Sequence, residues 1–240
     1  MRLHDFAALS FDCYGTLIDW ESGILAALAA WLAPTGPLDG ATLLAAFAEA
    51  EAEQQAATPD LRYPAVLAAV HGRLAQRFAR PVAAGAAERF GAAIAEWPAF
   101  PDSAAALGYL KRHYRLIVLS NVDRTSFQAS NARLGVTFDA ICTAEDIGSY
   151  KPDRRNFAYL LAEAARLGVP RERLLHAAQS LYHDHVPAHA MGIATAWIDR
   201  RQGRGGGATK PPAGPVHYGF RFSSLAELAA AHRAEATGRP

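Results

Sequence analysis

The amino-acid sequence predicts an α/β fold that is built on a parallel β-sheet. After residue 100, short apolar runs typical of buried strands alternate with longer segments whose apolar residues recur at helical spacing. Strands are predicted at 115–120, 140–143, 174–178 and 194–198, and helices at 101–112, 124–134 and 153–167. Gly135 and Gly168 follow two of these helices, as glycine often does at a helix end. Such alternation is typical of βαβ units, whose strands run parallel.

An apolar run from Leu9 to Phe11 predicts a further strand near the start of the chain, and Asp12 follows it directly. Gly15 then permits the chain to turn away. In an open parallel sheet, ligands bind outside the carboxyl ends of the strands, so a carboxylate at a strand end is a candidate nucleophile. The alternative is that Asp12 only caps the turn that follows it.

Between the first two predicted strands, residues 18–97 are rich in Ala and Leu and show no strand pattern. Apolar residues recur at helical spacing in several segments, which prolines separate. These segments are Ile24 to Leu32, Leu43 to Ala50, Val66 to Phe78 and Ala83 to Ile94. The sequence therefore predicts an all-helical insertion directly behind the candidate nucleophile.

The part of the chain after residue 199 is predicted to contain a loop, a helix and a tail. Residues 200–215 are rich in Gly and Pro, which predicts a mobile loop whose basic side chains face solvent. Ser224 and Glu227 form a capping-box pattern that begins a helix ending near His232. Residues 234–240 are expected to form a C-terminal tail.

Composition and charge argue against several classes of protein. The 240 residues carry a formal net charge of +1, and 20% of them are charged, which argues against nucleic-acid binding. No segment reaches the roughly 18 consecutive apolar residues that a membrane span needs, and the N-terminus lacks a signal-peptide pattern. We therefore expect a cytoplasmic protein with no membrane partner. Cys13 and Cys142 are too few to predict a disulfide framework.

The residues from Asp12 to Leu17, Asp-Cys-Tyr-Gly-Thr-Leu, resemble the first motif of the haloacid dehalogenase superfamily and, within it, of the L-2-haloacid dehalogenases. The second position after the nucleophile separates the branches. Phosphatases and mutases of the superfamily carry a second Asp there, which protonates the leaving group, whereas this chain has Tyr14. A halide leaves without a proton, so the absence of that acid favours carbon–halogen cleavage over cleavage of a phosphate ester.

Three further motifs follow in the order that the superfamily has. Ser120 and Asn121 end the second predicted strand, where the resemblance implies that they hold a substrate carboxylate or a departing halide; alternatively, they cap the next helix. Lys151, in Ser-Tyr-Lys-Pro-Asp, matches the lysine that would favour the charged form of Asp12. Asp184 matches the last acidic position, where it anchors the lysine and helps to activate water.

The resemblance implies a Rossmann-like parallel-sheet core with an all-helical cap domain inserted after the first strand. The core would comprise residues 1–17 and 98–233, and the cap residues 18–97. The implied catalytic residues are Asp12, Lys151 and Asp184, and the implied substrate-binding residues are Tyr14, Thr16, Arg62, Ser120 and Asn121. The resemblance also implies a small-molecule carboxylic acid substrate, no cofactor, and a homodimer.

No metal site is expected at the last motif. His183 and His185 flank Asp184, but neighbouring residues rarely all point at one ion. Magnesium would bind only in the phosphatase alternative, through Asp12, Asp184 and the carbonyl group of Tyr14.

The sequence departs from the well-known dehalogenases at several positions that contact their substrate. Gln179 and Leu181 stand where those enzymes have Ser and Asn, and Phe157 stands where they have Tyr. Their cap arginine, which binds the substrate carboxylate, has no counterpart, because no Arg occurs between Arg2 and Arg62.

Arg62 is the nearest cap candidate for that contact, and Trp20 or Tyr63 would line an apolar pocket. The loss of several polar contacts implies a changed or relaxed substrate. Three alternatives therefore stand beside a 2-haloacid dehalogenase: a hydrolase of another small 2-substituted or strained cyclic acid, such as azetidine-2-carboxylate, a magnesium-dependent phosphatase, and a non-catalytic scaffold.

Overall fold

The computed structural model of the chain describes residues 1–204 and 207–238, and within them six strands form one parallel sheet. The strands are β1 (Ala8–Phe11), β2 (Arg115–Ser120), β3 (Ala140–Thr143), β4 (Leu174–Ala178), β5 (Ala194–Ile198) and β6 (Phe220–Phe222). They lie side by side in the order β3-β2-β1-β4-β5-β6. The predicted α/β class with a parallel sheet is confirmed. The short strand β6 was not predicted, because three residues are too few to show a strand pattern.

Helices cover the sheet and fill the insertion between its first two strands. They are α1 (Trp20–Leu32), α2 (Gly40–Ala57), α3 (Tyr63–Arg77), α4 (Ala86–Ala92), α5 (Ser103–Leu110), α6 (Arg124–Leu134), α7 (Ala144–Ile147), α8 (Arg154–Arg166), α9 (Val186–Ala190) and α10 (Leu225–Thr237). The single-turn helices α7 and α9 were not predicted. Among the helices of the described residues, none has both the length and the apolar character needed to cross a membrane.

The last helix is longer than the sequence pattern predicted. Helix α10 continues to Thr237, so the predictions that it ends near His232 and that a tail begins at residue 234 are wrong. The Ala-rich segment after His232 contains no helix breaker until Gly238, which adopts a left-handed conformation and ends the helix. Residues 239 and 240 of the predicted tail lie outside the described residues.

The strands at the centre of the sheet are buried on both faces, which explains their continuous apolar sequences. In β2, Leu116 and Val118 pack into one hydrophobic cluster, whereas Ile117 and Leu119 pack into another. Phe157 on α8 belongs to the second cluster. Because successive side chains of a strand point to opposite faces, one short run supplies two core layers.

Helices α1 to α4 lie between β1 and β2 in the chain with no strand among them, as the predicted all-helical insertion requires, and their role as a cap stays a prediction. Aromatic rings join the helices: Phe47 meets Trp20 at 5.9 Å and Phe90 at 6.3 Å between ring centroids, both edge to face. Gly91 lets α4 approach the start of α3, because a Cβ atom there would lie 2.3 Å from the Pro64 carbonyl oxygen. The division of core and cap at residues 17/18 and 97/98 stays a prediction.

The predicted loop at 200–215 lies partly outside the described residues, because these exclude 205 and 206. The prediction that its basic side chains face solvent is wrong for Arg200. The guanidinium group of Arg200 donates to the Thr16 carbonyl oxygen at 2.7 and 3.2 Å and pairs with Asp102 at 2.7 Å. Beyond the gap, Ala208 is buried and its N–H donates to Glu21 at 2.8 Å. Arg200 therefore packs beside the turn after β1, and Ala208 packs beside the start of α1.

Candidate active site

The polar residues that end the strands meet at the carboxyl edge of the sheet. Strand β1 pairs with β2 on one side and with β4 on the other, so the strand order reverses direction between β1 and β4. Asp12 follows β1, Ser120 ends β2, and Asp184 follows β4. In open parallel sheets, ligands bind in the crevice at such a reversal. The topology therefore brings together residues that are far apart in the sequence.

Asp12 is oriented by the turn that follows β1. Gly15 has a φ of +92°, a conformation that favours glycine, and it reverses the chain so that Thr16 returns to Asp12. The Thr16 hydroxyl donates to Asp12 Oδ2 at 2.6 Å and accepts from the backbone N–H of Gln179 at 2.9 Å. The single hydroxyl proton of Thr16 is used on Asp12, so this residue positions the carboxylate.

Lys151 is 2% exposed and joins Asp12 to Asp184. Its Nζ donates to Asp12 Oδ1 at 2.8 Å, to Asp184 Oδ1 at 2.7 Å and to the Leu119 carbonyl oxygen at 3.1 Å. An ammonium group carries three protons, and these contacts use all of them. The structure thus brings the three predicted catalytic residues into direct contact.

A further pair of buried side chains supports Asp184. His176 Nε2 lies 3.0 Å from Asp184 Oδ1, and His176 Nδ1 lies 2.8 Å from Ser10 Oγ. Among the described residues, Asp184 Oδ2 has no hydrogen-bond partner. One oxygen of Asp184 is therefore fixed by Lys151 and His176, and the other is available to a bound molecule.

Burial and the shared ammonium group shift the charges of this cluster. Burial raises the pKa of the Asp12 carboxyl, and the Lys151 ammonium opposes this shift without cancelling it. Burial acts on Asp184 in the same sense, but Lys151 and His176 outweigh it and hold the pKa of Asp184 below its ordinary value. Burial disfavours the charged form of Lys151, yet the two carboxyls outweigh it and raise its pKa. The cluster therefore favours a charged Lys151 and a charged Asp184.

A cavity of about 40 Å³ opens at Asp12. The residues that line it are Asp12, Tyr14, Trp20, Glu51, Gln55, Tyr63, Asn121, Lys151, Ser180, His183, Asp184 and Thr209. Its walls come from the carboxyl edge of the sheet, from the cap, and from the loop after β5. Trp20 and Tyr63 line it, as the sequence predicted. Thr209 shows that the loop at 200–215 contributes to the site.

Three predicted substrate-binding residues, Thr16, Arg62 and Tyr14, do not present their polar groups to the cavity; the Thr16 hydroxyl is used on Asp12 and Gln179. Arg62 does not line the cavity: its side chain is 69% exposed and pairs with Glu145. Tyr14 does line it, but its hydroxyl lies 2.8 Å from Ser130 Oγ on α6. The cap therefore does not supply an arginine to the cavity from the position that the sequence suggested.

The remaining predicted binding residues, Ser120 and Asn121, differ in what they contact. Asn121 Oδ1 accepts from the Lys151 N–H at 2.7 Å, and the Asn121 side-chain amide donates to the Lys151 carbonyl oxygen at 3.1 Å. Asn121 thus holds the lysine segment in place. The buried Ser120 hydroxyl has no partner within the described residues, although Ser120 does not line the cavity.

Sequence reasoning missed several residues of the cavity wall, chiefly Glu51, Gln55 and His183. Glu51 and Gln55 lie on α2, one turn apart, in a segment where Glu occurs at every second position. Helical spacing from Phe47, a strongly apolar residue, would have placed Glu51 on its inward face. His183 was considered only as a metal ligand. Burial lowers the pKa of His183 to about 4, so its imidazole is neutral at neutral pH.

Within residues 1–204 and 207–238, no group of three or more His, Cys, Asp and Glu side chains is arranged to hold a metal ion. His183 Nδ1 lies 3.2 Å from Ser180 Oγ, and His185 Nε2 lies 2.9 Å from the Ala178 carbonyl oxygen. The two histidines that flank Asp184 therefore contact different groups.

Solved structures share this architecture. A defluorinating L-2-haloacid dehalogenase superposes with a TM-score of 0.77 at 22% identity, over 95% of this chain and 96% of that one. The L-2-haloacid dehalogenase from Xanthobacter autotrophicus, with chloropropionic acid covalently bound, superposes with a TM-score of 0.75 at 21% identity, over 95% and 98% of the two chains. At these identities, the likeness establishes the fold.

Sequence comparison adds the family. An (S)-2-haloacid dehalogenase from Pseudomonas fluorescens is 32% identical over 107 residues, which are 43% of this chain and 45% of the relative. The match thus spans less than half the length of that relative. The family model for haloacid dehalogenase-like hydrolases matches residues 6–176, which include β1 to β3, the start of β4, Asp12 and Lys151. The chain therefore belongs to the haloacid dehalogenase-like hydrolase family.

Proposed function

We propose that this chain is a hydrolase that displaces the C2 substituent of a small carboxylic acid through an ester of Asp12, in the manner of an (S)-2-haloacid dehalogenase. The observation that carries the proposal is the buried contact of Asp12 with Lys151, which also binds Asp184. It supplies a positioned nucleophile beside a cavity. The named relative and the covalent complex of a similar fold support the same chemistry.

In the first step, a carboxylate oxygen of Asp12 attacks C2 and a new C–O bond forms. The bond between C2 and its substituent breaks, and the electron pair leaves with the substituent, so a halide requires no proton. The Tyr14 hydroxyl is directed to Ser130, so the second position after Asp12 offers no acid to the leaving group. This arrangement suits a leaving group that departs as an anion.

In the second step, water attacks the carbonyl carbon of the Asp12 ester and releases a 2-hydroxy acid. Asp184 Oδ2, which has no partner among the described residues, is suited to accept a hydrogen bond from that water. The bond between the Asp12 carbonyl carbon and the oxygen attached to C2 then breaks, and this oxygen takes one proton of the water and leaves as the hydroxyl of the product. Because the pKa of Asp184 is held low, Asp184 orients the water without retaining a proton, and the second proton passes to solvent as the Asp12 carboxylate re-forms. The Lys151 ammonium stabilises the negative charge that develops on the ester oxygen.

The alternative reactions remain open to direct tests. A panel of 2-chloro, 2-fluoro and strained cyclic acids, assayed beside phosphate monoesters, identifies the leaving group. Turnover that survives a chelator contradicts the magnesium-dependent phosphatase, and the absence of turnover across the whole panel favours a non-catalytic scaffold. The homodimer also stays a prediction.

The origin of the product oxygen tests the ester mechanism. We expect a single turnover in heavy-oxygen water, with enzyme in excess, to give a product with unlabelled oxygen from Asp12 and to leave the label on the Asp12 carboxylate. Mass spectrometry of the product and of the peptide with Asp12 measures both. A second turnover by the same enzyme is the internal control, because it must deliver label to the product. Label in the product of the first turnover would mean that water attacks C2 directly.

The charge of Asp12 predicts a loss of activity in acid. Only the ionised carboxylate attacks, so kcat/KM should be full above the pKa of Asp12 and fall as the pH is lowered through it. Burial raises that pKa, so we expect the midpoint to lie above the ordinary value of 3.8. Thr16→Val removes a hydrogen bond that favours the charged form, and should move the midpoint to higher pH. If the midpoint does not move, protonation of Asp12 is not the cause of the loss of activity in acid.

A further inference from the structure

Glu51, on cap helix α2, lies opposite the core residues of the same cavity. It is 5% exposed, and it lines the cavity together with Asp12 and Lys151. Its Oε1 accepts a hydrogen bond from the Tyr63 hydroxyl. Among the described residues, Tyr63 is the one hydrogen-bond donor to this carboxyl, and none of them donates to Oε2.

The carboxyl of Glu51 lacks a compensating cation. Lys151 is the one Lys or Arg among the described residues of the cavity wall, and its three protons are directed to Asp12, Asp184 and a backbone carbonyl. Across the cavity, Glu51 faces the titratable groups of Asp12, Lys151, His183 and Asp184. It also lies near the hydroxyls of Tyr63 and Tyr150, whose pKa values are raised first by burial and then by the charge of Glu51. Burial raises the pKa of Glu51 to about 7, because no cation offsets the loss of hydration.

The neighbouring acidic residues of α2 show that this inward position is particular to Glu51. Glu49 pairs with Arg77 and Glu53 pairs with Arg73, and both glutamate side chains are largely exposed. A buried carboxyl without a cation is unfavourable for folding, and an apolar residue would pack there at lower cost. The cost is offset when a bound molecule supplies the missing positive charge.

We infer that Glu51 binds an ammonium group of the substrate, so that the preferred substrate is a small amino acid-like molecule that carries an amine beside its carboxylate and its displaceable C2 substituent. The Asp12, Lys151 and Asp184 cluster has one positive and up to two negative charges, and an ionised Glu51 adds another negative charge. A cationic amine balances the charge of this cavity better than an acid that has no amine. The C2 displacement rests on the proposed function, whereas amine binding by Glu51 does not require turnover.

The test compares two unreactive hydroxy acids that differ in one amino group, 3-amino-2-hydroxypropanoate and 2-hydroxypropanoate. We expect calorimetry at about pH 8, above the pKa of Glu51, to show that wild-type protein binds the amino compound about tenfold or more tightly, the order expected for a hydrogen bond between charged groups. Glu51→Gln should abolish this preference. Glu53→Gln, which removes an exposed carboxyl of the same helix, should retain it. Equal affinities in the wild type, no measurable binding of the amino compound, or a preference that survives Glu51→Gln would overturn the inference.

A second measurement does not depend on how the Glu51→Gln variant folds. In wild-type protein with ¹³C-labelled glutamate, the Glu51 carboxyl should titrate near pH 7. The amino compound should lower its midpoint, and 2-hydroxypropanoate should not. If the amino compound leaves the titration midpoint of Glu51 unchanged, the inference is contradicted. If no 2-substituted acid is turned over but the amino compound still lowers the Glu51 midpoint, the displacement mechanism is contradicted and amine binding by Glu51 is not.

Discussion

Replacement of Asp12 by Asn should abolish turnover and leave the protein folded. The amide keeps the shape of the carboxyl but is a far poorer nucleophile, so no ester can form at a useful rate. Lys151 retains Asp184 as its charged partner at 2.7 Å, which limits the loss of stability. We expect kcat to fall by more than about a hundredfold, since positioned acid–base groups alone contribute roughly 10²–10⁴. Steady-state assays with the best substrate of the panel measure the loss.

Asp19→Asn is the matched control for this substitution. Asp19 also follows the first motif, but its side chain caps helix α1 by accepting from the N–H of Ser22, and it does not line the Asp12 cavity. Asn caps helices about as well as Asp, so activity and thermal stability should both stay close to wild type. If the Asp12→Asn protein is folded and keeps more than about a hundredth of the wild-type rate, the loss is smaller than the roughly 10²–10⁴ that positioned acid–base groups contribute. Asp12 would then not be the nucleophile.

Replacement of Lys151 by Met should destabilise the protein and also stop turnover. The substitution leaves Asp12 and Asp184 buried beside each other without the cation that both contact at 2.7–2.8 Å. Breaking a buried ion pair by removing one partner typically costs about 3–5 kcal/mol. We expect urea denaturation to show a loss of that order in the free energy of unfolding. We expect kcat to fall at least about a hundredfold, because the ester oxygen loses its stabilising charge.

Two companion variants separate the causes of these effects. Lys111→Met breaks an ion pair with Asp139 in which the lysine side chain is 32% exposed, and it should cost about 1 kcal/mol or less. The double variant Lys151→Met with Asp184→Asn removes one of the two stranded charges, so part of the lost stability should return while activity stays absent. Unchanged stability in Lys151→Met would show that the two carboxyls do not depend on this ammonium group.

Much of the fold could be predicted from local patterns, because buried strands appear as short apolar runs and helices show apolar residues at helical spacing. The strands at 115–120, 140–143, 174–178 and 194–198 have the predicted limits. The three-residue strand β6 and the short helix α9 were missed, because three residues are too few to show strand alternation and five are too few to show helical spacing. Helix α10 was predicted too short because its real end depends on Gly238 and not on a change of pattern.

The prediction of the proposed catalytic residues and the identification of the residues on the cap side of the cavity depended on different information. Asp12 was predicted as a nucleophile from its place at the end of a strand, whereas the roles of Lys151 and Asp184 were predicted from the resemblance of their motifs to those of the family. The sequence alone thus determined the fold class and the family motifs, and through the resemblance it predicted the core half of the site. Helical spacing from Phe47 indicates that Glu51 lies on the inward face of α2. Only the tertiary structure showed that this face lines the Asp12 cavity and that Arg62 pairs with Glu145 outside it. The physical reason is that apolar spacing shows which side of a helix is buried, whereas long-range contacts determine what that side packs against.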